Sequence, residues 1–124
     1  GTTTFGAIAA GRNSIGIEID QQFSDYIFSV ENDLEDRLND RIQKRLNDHL
    51  NFVKQREAEK GKDAFKHTNK HYGFPVMSSK EKELMINFIN GIALDQKASE
   101  FKAEYIEEPI LEKFYKTSLF ANTF

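Results

Sequence analysis

The sequence contains no cysteine, which excludes disulfide staples and thiolate metal sites and makes a reducing, cytoplasmic setting the expectation. Apolar runs are short. None approaches the ~20 residues needed to cross a bilayer, so a membrane span is not expected. Positive charge is not in excess either: the net charge is −3, whereas nucleic-acid binding normally shows as a basic face. Proline occurs only at Pro75 and Pro109, each isolated. There is no initiator Met, signal-peptide pattern, internal repeat or low-complexity segment. The chain opens on Gly1-Thr2-Thr3-Thr4 as if inside a motif, and a single fragment spanning 1–124 is the expectation.

What is present suits one globular segment with a modest core. Of 124 residues, 39% are hydrophobic, 30% are charged and 11 are phenylalanine. Thr2 to Ala10 reads as a helix, capped by a threonine and stopped by Gly11. Ile15, Ile17 and Ile19 alternate, which predicts a short strand ending at Asp20. From Gln21 to Lys60 the period changes. Phe23, Ile27, Val30, Leu34, Leu38, Ile42, Leu46, Leu50 and Val53 recur at helical spacing with no Gly or Pro between them. The pattern predicts one long amphipathic helix ending at Gly61, broken if anywhere near Asn47 to Asn51, with Asp33–Arg37 and Asp40–Lys44 as ion pairs on its wet side.

Residues 61–124 form the remaining part. Lys60 to Tyr72 is basic and reads as a loop or short helix, and Tyr72 to Ser78 as a strand. Ser78 to Glu81 is a capping box opening a helix that carries Leu84, Met85, Phe88, Ile89 and Ile92. Glu100 to Ile106 alternates as a last strand, and Pro109 precedes a terminal helix from Ile110 to about Phe120. Within the basic stretch, Lys62, Lys66 and Lys70 are candidate DNA-phosphate contacts, with an ordinary solvated loop as the competing reading. His49, His67 and His71 lack the spacing of a metal site, so no metal is expected.

Residues 1–20 carry most of the functional signal. In α/β nucleotide-binding units a glycine turn leads into a helix, and the next strand ends in a carboxylate that accepts hydrogen bonds from ribose hydroxyls. Gly1-Thr2-Thr3-Thr4, Ala9-Ala10-Gly11-Arg12 and Ile15-Gly16-Ile17-Glu18-Ile19-Asp20 together resemble the GTT…AA…GR…IGIEID run of amino-methylating DNA methyltransferases of the permuted class. The resemblance implies an α/β fold, the helix-rich C-terminal part of a Rossmann-like S-adenosylmethionine-dependent enzyme. It implies that Gly1, Thr2 and Thr3 close the glycine motif near the methionine end of S-adenosylmethionine. It also implies that Glu18 holds the ribose beside Asp20 and that Ile19 packs on the adenine. The parent enzyme would methylate adenine N6 or cytosine N4 in DNA, within a restriction–modification system. Tyr72 to Ser79 is similar to a downstream segment in some members.

The family's catalytic tetrapeptide, Asp/Ser/Asn followed by Pro-Pro and an aromatic, does not occur in this sequence, so no catalytic residue is assigned. Two alternatives stand beside the enzyme fragment. One is an interaction module whose long helix pairs with a partner or with a second copy, since its apolar stripe exceeds what the short elements would cover, and a homo-oligomer is expected on that ground. The other is part of a methyltransferase acting on something other than DNA. The missing tetrapeptide, which orients a flipped base toward its methyl donor, yields a direct prediction. Incubated with a labelled methyl donor and mixed-sequence DNA, the 124-residue chain is expected to transfer no label.

Overall fold

The computed structural model describes residues 2–113; of the helix expected from Ile110 to about Phe120, residues 110–113 are not helical and the rest lies outside the described residues. Three helices come first: α1 (Thr2–Ala9), α2 (Gln21–Ser29) and α3 (Glu31–Lys60). Two antiparallel hairpins follow, β1 (His67–Thr68) with β2 (Pro75–Val76), and β3 (Ile89–Asp95) with β4 (Glu100–Tyr105). Short 3-10 turns lie at Lys62–Ala64 and Ser79–Glu81. Both sheets are two-stranded, and no parallel pairing occurs among the described residues.

α1 ends where the glycine predicts. Gly11 adopts φ 68°, and the N–H groups of Gly11 and Arg12 bond to the Ile8 and Ala7 carbonyls, closing a left-handed cap. Asp20 caps α2 by accepting from the Gln22 N–H at 2.9 Å. The single long helix expected from 21 to 60 is instead two, and the break lies at Val30 (φ −92°, ψ 11°), not near Asn47. The Ser29 hydroxyl donates to the Tyr26 carbonyl at 2.6 Å, competing for the carbonyl that the next helical N–H would use. α2 then sets Phe28 in a stack on Phe101 of β4, centroids 5.5 Å apart. α3 runs 30 residues, about 45 Å at ~1.5 Å per residue, and stops at Gly61, φ 79°. On its wet side Arg37 pairs with Asp33 at 4.0 Å, while Lys44 turns to Asp48 at 2.6 Å.

The stripe on α3 is covered within the chain. Leu34, Leu38, Ile42 and Leu46 are buried with Ile8, Phe88 and Ile89 in one core cluster, each side chain contributing roughly 1.5–3 kcal/mol by leaving water. Val53 is buried as well. That coverage leaves the expectation of a homo-oligomer built on this helix without support from α3, because Leu34, Leu38, Ile42 and Leu46 pack within the chain, although Phe23 stays 61% exposed.

The helix expected after Ser78 is also corrected. The capping box forms, with the Ser78 N–H and hydroxyl both donating to Glu81 Oε2, but it opens only a single 3-10 turn. The carbonyls of Glu81 and Leu84 accept from the buried Asn69 amide at 2.8 and 2.7 Å. The Tyr72 hydroxyl takes both the N–H and the carbonyl of Ile86. With those groups engaged, no α-helical ladder can pass through 81–86, and Ile89 and Ile92 enter β3. The expected strand at 72–78 shrinks to β2, because Gly73 (φ 76°) turns the chain at its start. Residues 15–19 join no sheet, and Ile15, Ile17 and Ile19 are 96%, 92% and 98% exposed.

One polar pair fixes the layers. Asn39, fully buried on α3, donates from Nδ2 to the Ile89 carbonyl at 2.9 Å and accepts the Ile89 N–H at 2.8 Å. The Lys113 ammonium also reaches that carbonyl at 2.7 Å, so Asn39→Ala would leave only the buried N–H without a partner. The substitution is expected to cost about 1–3 kcal/mol, read as a lower urea midpoint at unchanged slope.

Candidate functional site

The structure gives the two acids at the end of the first motif different work. Asp20 is the α2 cap. Glu18 Oε1 accepts the Asp20 N–H at 2.9 Å, which steadies its carboxylate at the rim of a hollow of about 800 Å³. Phe5, Phe23, Tyr26 and Ile27 line that hollow together with Glu18. Phe23 and Tyr26 remain 61% and 65% exposed, so ring faces are open beside a carboxylate. Such an arrangement can accept hydrogen bonds from paired hydroxyls and shelter a flat heterocycle. Thr2 opens α1 and Thr3 is exposed on it, whereas Gly1 lies outside the described residues. Ile19 has nothing packed against it among those residues. The hollow's aromatic wall was not legible as a site in the sequence, because Phe23 and Tyr26 sit in a helical pattern that reads as core.

A second site forms where β1 and the Ser79–Glu81 turn approach each other. Lys66, Lys70, Lys80 and Lys82, with Thr68 and Ser79, line a shallow concavity of about 560 Å³. Two of the three candidate lysines, Lys66 and Lys70, are therefore brought together, while Lys62 lies in the preceding turn and is not part of the lining. Lys80 and Lys82 escape a sequence reading because Glu81 and Glu83 alternate with them. In space those acids are occupied. Hydrogen bonds from the Ser78 hydroxyl and N–H hold the Glu81 carboxyl below its ordinary value, and the Lys70 hydrogen bond at 2.9 Å, with its charge, does the same for Glu83.

The histidines go to separate places. His49 Nε2 lies 2.8 Å from the Pro75 carbonyl and its ring packs on Phe74, centroids 4.5 Å apart. His67 Nδ1 is buried with no hydrogen-bond partner among the described residues, and His71 is exposed. Among those residues, no group of three or more His, Asp or Glu side chains gathers in metal-binding fashion, and no helix is long and apolar enough to cross a membrane.

Comparison with known proteins adds one relationship. Over 88 residues, 71% of this chain, the sequence is 33% identical to the Type II methyltransferase M.MthZI of Methanothermobacter thermautotrophicus. That stretch is related to a methyltransferase. The match spans 23% of the archaeal protein's length. No family model matches the chain, and no solved structure matches it.

The Ser78–Glu81 pair has a pH signature. A carboxyl lowered in the folded state adds stability that is present above its ordinary value of 4.5 and is lost as pH falls through the lowered one. Ser78→Ala is expected to return Glu81 toward 4.5 in a carbon-detected NMR titration. It should also flatten the dependence of stability on pH below that value.

Proposed function

We propose that this chain is the C-terminal, cofactor-completing part of a Rossmann-like S-adenosylmethionine-dependent DNA methyltransferase, acting on adenine N6 or cytosine N4 within a restriction–modification system. The observation that carries the reading is Glu18, held at the rim of an aromatic-walled hollow inside the Gly1 to Asp20 motif. The relationship to a Type II methyltransferase supports it. In this reading residues 1–20 finish the cofactor pocket, 21–60 form its helical support and 61–124 are the α/β C-terminal part.

The residues present fit the cofactor. Glu18 accepts the ribose hydroxyls, and its bond from the Asp20 N–H keeps the carboxylate oriented. Phe23, Tyr26 and the exposed side of Ile19 shelter the adenine from water, while Gly1, Thr2 and Thr3 border the methionine end. S-adenosylmethionine supplies an electrophilic methyl group when bound. The group that orients the target amine is not in this sequence, so the chain's own part is to bind and place the donor.

The bare isoleucine run points the same way. Ile15, Ile17 and Ile19 forgo roughly 1.5–3 kcal/mol each in water, a deficit that a neighbouring strand of a larger sheet would remove. A methyltransferase with a small-molecule substrate would explain Glu18 equally well, but the relationship to a Type II methyltransferase favours DNA. Titrated with millimolar S-adenosylhomocysteine, the chain is expected to show amide NMR shifts at Glu18, Phe23 and Tyr26 that vanish in Glu18→Ala. Shifts confined to other residues, or unchanged by that substitution, would overturn the assignment.

A further inference from the structure

We propose that the concavity between residues 66–70 and 79–83 is a preformed docking surface for the phosphate backbone of duplex DNA, built on the buried side chain of Asn69. The proposal rests on the DNA reading above for its partner, but on separate residues for its surface.

The charge distribution comes first. In a chain of net charge −3, four lysines and one carboxylate line this single hollow. Lys70 pairs with that carboxylate, Glu83, at 2.9 Å. Lys66, Lys80 and Lys82 are exposed and form no ion pair with any described residue. The remaining nearby acid, Glu81, has its carboxylate bound to Ser78. Neighbouring ammonium groups repel one another, and an anion shared among them relieves that repulsion. Thr68 and Ser79 add hydroxyl donors to the same lining.

The hollow is also held in shape. Asn69 is 2% exposed. Its Nδ2 donates to the Glu81 and Leu84 carbonyls, and its Oδ1 accepts the N–H groups of His71 and Tyr72 at 2.8 and 2.9 Å. Beside it, the Lys70 N–H donates to the Lys82 carbonyl at 2.8 Å. One saturated amide thus locks the segment carrying Lys66 and Lys70 to the segment carrying Lys80 and Lys82, so little backbone ordering remains to oppose binding. The concavity is open and shallow, which suits a passing polymer backbone better than an engulfed small molecule. Its lining offers ammonium and hydroxyl groups, which serve phosphate oxygens as point donors.

The test is fluorescence anisotropy of a short labelled duplex with the 124-residue chain across a salt series. Each neutralised phosphate adds about 0.9 to the slope of log affinity against log salt. Lys80→Gln with Lys82→Gln is therefore expected to reduce the slope by about 1.8 and to weaken low-salt binding by about tenfold or more. Arginine at both positions should preserve binding. Glu83→Gln should tighten it, by removing the carboxylate and releasing Lys70. Lys44→Gln with Lys97→Gln, outside the lining, should leave the slope unchanged, and circular dichroism checks that each variant is folded. An unchanged slope in the Lys80/Lys82 variant overturns the proposal. Competition by poly-glutamate as strong as by duplex also overturns it, in favour of an acidic peptide partner, as does inorganic phosphate binding with the duplex's affinity. Glu18→Ala is expected to leave duplex binding intact, so failure of the cofactor reading and failure of this surface are distinguishable.

Discussion

The described structure depends on a buried amide meeting a buried backbone. Asn39 sits at the centre of α3's inner face, among Leu34, Leu38 and Ile42, where an unpartnered polar group would be costly. It is tolerated because Ile89 presents an N–H and a carbonyl that fit its side chain as a neighbouring strand would. A one-residue shift of β3 along α3 would lose both bonds, so the pair sets the register of sheet on helix, which apolar contacts alone leave loose. From that register follow the seat of Phe88 and Ile89 in the core and the reach of the Tyr105 hydroxyl to the Ile8 carbonyl at 2.6 Å. Burial raises the Tyr105 pKa above its ordinary value. That hydroxyl ties α1 to β4 through the helix's last turn.

Much of the helical half was legible in the residues. α1, its glycine stop, the apolar stripe of α3 and the halt at Gly61 all follow from spacing and caps, whereas Asp20, read as a strand end, is the cap of α2. The break at Val30 was not, because its cause is one serine hydroxyl turned onto Tyr26, which no periodicity reveals. The segment from Leu84 to Ile92 misled for a related reason. Its apolar spacing suits a helix, but the deciding partners, Asn69, Tyr72 and Asn39, lie far away in sequence and claim its backbone groups. Glu18 was singled out through its motif. The aromatic rim opposite it was not, since Phe23 and Tyr26 carry the same spacing as core residues.

Charge shows a similar division between composition and space. The chain is acidic in total, and Lys80 and Lys82 alternate with acids along the sequence. Folding undoes that alternation. Ser78 turns the Glu81 carboxylate back on itself, and Lys70 takes Glu83. Local basicity is therefore a product of folding two lysine-bearing segments together with Glu81 outside the lining, which explains why a count of lysines in the loop found only part of the cluster.

The bare Ile15 to Ile19 run carries a hazard of its own. Alternating β-branched residues in water are a template for intermolecular strand addition, and chains commonly guard such runs with charge. Here Glu18 stands inside the run and Asp20 closes it. Stacked copies would bring the Glu18 carboxylates into mutual repulsion, while Asp20 starts α2 and limits how far any ladder can grow. The carboxylate proposed for the ribose thus also serves as a gatekeeper, opposing addition of this segment to another copy of itself.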